Sequence, residues 1–160
     1  MKEALNIVLV HPEIPNNTGN IGRTAAATGC RLHLIHPLGF ELSEKACRRA
    51  GLDYWHLVDC REHATWDAFL VRERPPQAWL LSTHASRLHW EADFAPGDYL
   101  MFGNETSGAP EAVHRWVQSS NGEDHRLRLP MIEEARSLNL ATAVCAAVYE
   151  ARRQLACSRD

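Results

Sequence analysis

Asn6-Ile-Val-Leu-Val10, His11-Pro-Glu-Ile-Pro-Asn-Asn17 and Thr18-Gly-Asn-Ile-Gly-Arg-Thr-Ala-Ala-Ala-Thr28 follow one another near the start of the chain. The first run is apolar, too short for a helix, and reads as a strand. The second is a polar, proline-bearing turn. The third predicts a helix over Thr18–Thr28, stopped by Gly29 as a left-handed C-cap. The same strand–loop–helix grammar continues outward. Strands are expected at Arg31–His36, Trp55–Val58, Ala78–Ser82, Tyr99–Phe102 and Leu127–Pro130. Helices are expected from Ser43 (as cap) through Arg49 with Gly51 closing it, over Glu62–Glu73, over Pro110–Gln118 and over Ser137–Leu155. Alternating apolar strands and helices imply an α/β fold whose parallel sheet is covered on both faces. Ligands in such folds lie beyond the carboxyl ends of the strands.

The chain has 160 residues, about one domain's worth, and is read as a single domain over 1–160. A hydrophobic content of 45% suffices for one core, and 23% charged residues with a net charge of −3 argue against disorder or a histone-like basic binder. No apolar run reaches the roughly 18 residues that span a bilayer, and Met1–Leu5 lack a secretory signal, so a cytoplasmic protein without membrane contact is expected. The five cysteines show no CxxC spacing and the nine histidines no HExxH pair, so reduced thiols and no metal are expected. Arginine occurs fifteen times and lysine twice. Genome base composition can produce that bias; so can phosphate recognition, and Arg48-Arg49, Arg126 with Arg128, and Arg152-Arg153 are candidate phosphate contacts. Among the five tryptophans, Trp66 and Trp79 read as core.

The last helix is apolar or small at almost every position from Leu138 to Tyr149, which predicts burial all round, either centrally or in a subunit interface; a homodimer is favoured. Three loops stand out. Pro15–Arg23 has Gly19 and Gly22 for close approach, and a helix start beside Arg23 suggests an anion site. Phe102–Pro110 carries Gly103 at a strand end and Glu105, able to accept from a ribose hydroxyl or orient an arginine. Leu127–Asn139 brings Ser137, a candidate helix cap, and Asn139 into the last helix. Alone, each reads equally as an ordinary turn.

Together and in this order, HPEIPNNTGNIGRTAAATG (11–29), RRAGLDY (48–54), DYLMFGNETSGAP (98–110) and Leu127–Gln154 resemble the SPOUT-superfamily RNA ribose 2′-O-methyltransferases, and within them the small single-domain tRNA (cytidine/uridine-34) 2′-O-methyltransferases. The resemblance spans essentially the whole chain. It implies a parallel-sheet fold with a deep C-terminal trefoil knot, S-adenosylmethionine bound bent in that knot, no metal, and an obligate homodimer acting on the wobble nucleotide of the tRNA anticodon stem-loop, in leucine isoacceptors. It assigns Asn17 and Arg23 to catalysis, Arg23 against RNA phosphate and the reactive hydroxyl. It assigns Leu81, Gly103, Glu105, Leu129, Ser137 and Asn139 to the cofactor, and Tyr149 to the neighbourhood of the dimer interface.

Three positions depart from the family pattern: Ala109 where leucine is usual, Ser107 where arginine is frequent, and Ala141 where serine is frequent. They motivate two alternatives, a non-catalytic RNA- or nucleotide-binding module and methylation at another RNA position. For the reaction itself, Arg23 is expected to position a phosphate and stabilise alkoxide charge, because a guanidinium is a poor general base. A family proposal instead makes a phosphate-paired arginine the base.

Overall fold

The computed structural model describes residues 4–49 and 51–158. Met1–Glu3, Ala50 of the RRAGLDY stretch, and residues 159–160 lie outside them. Seven strands form one sheet in which every pairing is parallel: β1 (Asn6–Val10), β2 (Arg31–Ile35), β3 (Cys60–His63), β4 (Ala78–Leu81), β5 (Arg87–Leu88), β6 (Tyr99–Phe102) and β7 (Arg126–Arg128), in the order β3-β2-β1-β6-β4-β7-β5. The helices are α1 (Pro15–Thr28), α2 (Glu44–Arg49), α3 (Trp66–Glu73), α4 (Glu111–Ser120) and α5 (Leu140–Cys157).

Period-2 alternation divides each buried strand between two cores. Ile7, Leu9, Leu32, Leu34, Leu100 and Phe102 face α1 (Ile21, Ala25) and α5 (Val144, Ala147, Val148, Ala151). Val8, Val10, Ile35, Leu80 and Met101 face α3 (Phe69) and α4 (Val113, Val117). The chain runs outward from β1 through β2 to β3 and then resumes on the other side of β1. The carboxyl ends of β1 and β6, where Leu9 lies beside Phe102, therefore form the topological switch point of the sheet.

Several boundaries differ from expectation, each for a local reason. Trp55–Leu57 is a single 3₁₀ turn, and the third strand is Cys60–His63 instead, paired to Leu32–Ile35. Its polar residues belong to a sheet edge, which apolar pattern does not reveal. Glu62 and His63 therefore lie in β3, and α3 starts at Trp66 because Thr65 Oγ1 accepts from the Ala68 amide at 3.0 Å. Helix α1 begins earlier than Thr18, with Pro15 in its first turn, and ends at Gly29 (φ 72°) as predicted. Helix α5 begins at Leu140 with Asn139 as its cap, so Ser137 remains in the preceding loop. Of the two placements expected for α5, central burial all round does not hold within one chain: Val144, Ala147, Val148 and Ala151 are buried, and Thr142, Ala146 and Tyr149 form an exposed opposite face, the one left for a subunit interface. All five cysteines are free; Cys30 and Cys47 are buried, Cys60 and Cys145 half-buried and Cys157 exposed. Trp79 is core, and Trp66 packs half-buried against Phe69.

A buried polar network ties β1, β2 and β3 together. Asn6 Nδ2 donates to the Gly97 carbonyl at 3.0 Å, leaving Oδ1 to accept from His33 Nε2 at 3.1 Å. His33 Nδ1 must then accept from His63 Nε2, 3.0 Å away. Burial, then the neighbouring His63 and Arg61, holds the His33 imidazole down at about 3. The unfolded chain binds a proton at this histidine between about pH 6.5 and 3 and the folded chain does not. His33 therefore stabilises the fold fully above about pH 6.5, and that contribution is lost as the pH falls through this window, by up to about 1.4 kcal/mol per pH unit. Urea titrations from pH 7 to 4 should show this decline and a shallower one in His33→Leu; an unchanged slope in the variant would contradict the assignment.

Candidate functional site

Four parallel strands end side by side. Leu81 of β4 lies level with Phe102 of β6 and Leu127 of β7, and Phe102 lies level with Leu9 of β1. The loops after β1, β6 and β7 therefore emerge at one edge of the sheet, and they are the three loops singled out by the sequence. Between them lies a cleft of about 800 Å³, within the usual range for small-molecule sites. Leu81, Gly103, Glu105, Leu129, Ser137 and Asn139 all line it, as does Asn17. Apolar walls from Leu81, Phe102, Leu129 and Leu140 face polar groups from Ser82, Asn104 and Ser137.

A chain of hydrogen bonds joins the loops. Glu105 accepts from the amides of Glu13 (2.9 Å) and Ile14 (3.1 Å) and from Asn17 Nδ2 (3.3 Å). Asn17 Oδ1 then accepts from Asn139 Nδ2 at 3.0 Å, and Asn139 Oδ1 caps α5 by accepting from the Thr142 amide at 3.2 Å. Each amide orientation is dictated by the carboxylate at one end and the helix amide at the other, so the bonds polarise one another in one direction. The expected anion site at the start of α1 is thus already filled by the carboxylate of Glu105, favoured there by the helix dipole. Among the described residues Glu105 pairs with no arginine, and three donors already occupy its two oxygens. Its place in the cleft wall is that of a brace.

Gly103 is required by the loop itself: a Cβ there would lie 2.0 Å from the Ala109 nitrogen. The following turn is held by Asn104 Oδ1, which accepts from the Ser107 amide (2.7 Å) and the Ser107 hydroxyl (3.0 Å), so the serine in place of arginine has a local partner. Sequence reading missed Arg136, His84 and His114, which also line the cleft. Burial, followed by nearby Arg126, lowers the His114 pKa. Only their shared position at a strand-end loop or the α4 face signals them.

Arg23 does not line this cleft. It faces a second one, about 630 Å³, on the other side of the first turn of α1, with Pro15, Asn16, Asn20, Arg49 and Tyr54. Its guanidinium carbon lies 4.7 Å over the Tyr54 ring. Of the other candidate arginines, Arg126 pairs with Glu123 and Arg153 with Glu150 at the surface, and Arg152 donates to the Thr28 carbonyl. Among the described residues one trio, His33, His63 and Glu73, brings three metal-capable donor atoms within 4.8 Å. They are spent on one another, on Asn6 and on Arg61, and none of them lines either cleft. No helix among the described residues is long and apolar enough to cross a membrane.

The chain resembles several characterised proteins over nearly its whole length. A tRNA (cytidine(34)-2′-O)-methyltransferase of Saccharophagus degradans is 51% identical over 150 residues, 94% of this chain and 95% of that one. A solved structure described as giving insights into the 2-OH methylation of C/U34 on tRNA superposes with a TM-score of 0.82 at 48% identity, covering 96% of this chain and 97% of the other. An AdoMet-bound rRNA methyltransferase from Sinorhizobium meliloti superposes with a TM-score of 0.80 at 25% identity, covering 97% of this chain and 58% of the other.

The brace at Glu105 has a measurable consequence. Glu105→Gln is isosteric but turns an NH2 group toward an amide donor. It should cost about 1–2 kcal/mol of stability in urea unfolding, given the partial exposure of these bonds. Unchanged stability would remove Glu105 from the role of brace. The SpoU rRNA Methylase model matches residues 4–149, a stretch containing all three loops and both partners of every bond in the chain between them, and the protein belongs to that family.

Proposed function

We propose that the protein transfers the methyl group of S-adenosylmethionine to the ribose 2′-oxygen of tRNA wobble nucleotide 34, a cytidine or modified uridine, with leucine isoacceptors as its substrates in the cytoplasm. The reading takes residues 1–160 as one domain. The observation that carries this reading is the convergence of three distant loops on one cleft, in a chain about half identical to a relative named for that reaction. The cleft fits the donor: Leu81, Phe102 and Leu129 supply flat apolar walls for an adenine, and Ser137 and Asn104 supply polar groups for ribose and amino acid. The trefoil threading implied by the resemblance belongs to the same reading, since the loops after β6 and β7 both border this cleft.

Bound there, the donor supplies a methyl group already activated on a sulfonium, so the protein need not generate an electrophile. The tasks left to the chain are alignment and charge. Asn17, locked between Glu105 and Asn139, fixes the first turn of α1 against the donor cleft. Arg23 holds the phosphate beside the target ribose and steadies the charge on the 2′-oxygen as it gives its proton to solvent water and takes the methyl group, with S-adenosylhomocysteine as the leaving group. Because Arg23 lies on the far side of α1 from its own donor cleft, the reading requires two copies, with Arg23 of one protomer completing the cleft of its partner. The exposed small and aromatic residues of α5, Ala146 and Tyr149 with nearby Leu138, supply an apolar face for that association.

Incubation with methyl-labelled S-adenosylmethionine and total tRNA should place label on RNA, and mapping should locate it at the 2′-oxygen of nucleotide 34. Arg23→Ala should lose transfer while still binding S-adenosylhomocysteine. Label at another nucleotide would overturn the assigned substrate, and near-normal transfer by Arg23→Ala would remove that residue from the mechanism.

A further inference from the structure

We propose that Tyr54 is a positioning residue for Arg23, acting as the platform that presents its guanidinium to the target nucleotide. This rests on the reading that Arg23 acts on the substrate RNA.

Two glycines, Gly19 and Gly22, lie on one face of α1. A Cβ on Gly19 would lie 3.1 Å from Leu52 Cδ2 and 3.7 Å from the Tyr54 hydroxyl oxygen. A Cβ on Gly22 would lie 2.4 Å from Trp55 Cζ3. The spacing i, i+3 puts both on one helix face, and the bare backbone there is covered by the segment 52–55. The close approach prefigured by these glycines is therefore made by the chain's own Leu52, Tyr54 and Trp55.

With that segment pressed onto α1, the Tyr54 hydroxyl donates to the Gly19 carbonyl at 2.5 Å. In an α-helix this same carbonyl receives the N–H of Arg23, four residues on. Tyr54 thus grips the helix one turn before Arg23, and its ring passes beneath the guanidinium at 4.7 Å. Among the described residues Arg23 pairs with no carboxylate, so its charge is held in place without being neutralised. A free arginine side chain samples many rotamers; one stacked on a fixed ring has already lost that freedom before RNA arrives. The cleft beside this stack is lined by Asn16, Asn20 and Arg49, amide and guanidinium groups suited to phosphate and ribose oxygens, with Glu41 as its one acidic lining residue among those described.

The test compares Tyr54→Leu, Tyr54→Phe and Arg23→Ala in methyl transfer to tRNA bearing cytidine 34, with S-adenosylhomocysteine affinity and thermal midpoint measured alongside. Tyr54→Leu should lower kcat roughly 10- to 100-fold, the scale of a misplaced reacting group, with donor affinity near wild type and the midpoint lowered by a few degrees for the lost hydroxyl bond, as it should be in Tyr54→Phe too. Tyr54→Phe, which keeps the ring, should recover most of the rate. Should Tyr54→Leu fail to fold, Tyr54→Met fills similar volume without a ring face, and the same loss is expected. A ring-less variant that folds and turns over at the wild-type rate overturns the proposal, as does Tyr54→Phe being as slow as Tyr54→Leu. If Arg23→Ala is inactive in that same assay, the reading of Arg23 survives; if Arg23→Ala is fully active, that reading falls first.

Discussion

One carboxylate and two amides hold the candidate site together. Glu105, Asn17 and Asn139 are 88 and 122 residues apart in sequence, each on a different loop or helix start, and they meet in a single polarised run of hydrogen bonds. Glu105 receives the amides just before α1, and Asn139 caps α5. The same three side chains therefore set where α1 begins, where α5 begins, and how wide the cleft between them opens. An apolar replacement at any of them would leave the others with unmatched donors or acceptors.

The sheet makes this meeting possible. Because β1 and β6 are neighbours at the switch point, their following loops leave the same edge, and β4 and β7 bring Leu81 and the third loop beside them. Helix α1 is the shared wall: its first turn contributes Asn17 to one cleft and Asn16 to the other. Its glycine face, filled by Leu52, Tyr54 and Trp55, fixes the second cleft as firmly as the hydrogen-bond chain fixes the first. Anything that shifts α1 along its axis alters both clefts together, a mechanical link between them within one short helix.

The sheet and its parallel character were legible because β1, β2, β4 and β6 are largely apolar runs bounded by turn residues, and β7 was placed within a residue or two by Leu127-Arg-Leu-Pro130. The two edge strands were not: β3 reads Cys-Arg-Glu-His and β5 is only Arg-Leu, neither with an apolar signature, and Trp55–Val58, which has one, spends Trp55 on Gly22 instead. Sequence left α5 open between the core and a subunit interface for a related reason: alanine and cysteine fit either setting equally well. The three loops picked out by residue type do line one cleft; Gly103 and Asn139 carry local constraints visible in sequence, whereas Ser137 remains in the loop and caps nothing. The separation of Arg23 from that cleft was invisible, since nothing along the chain says which side of α1 a residue faces until its glycines are covered. Glu105 was marked as functional but its partners, 88 to 92 residues away, are set only by the fold.

The central claim is that these three loops enclose the methyl donor. A crystal structure of the protein with S-adenosylhomocysteine tests it most directly. The account predicts the ligand against Leu81, Gly103, Leu129 and Ser137, with the Glu105–Asn17–Asn139 hydrogen bonds intact beneath it. Density for the ligand in the Arg23 cleft, or a ligand seated only after those bonds have broken, would contradict it.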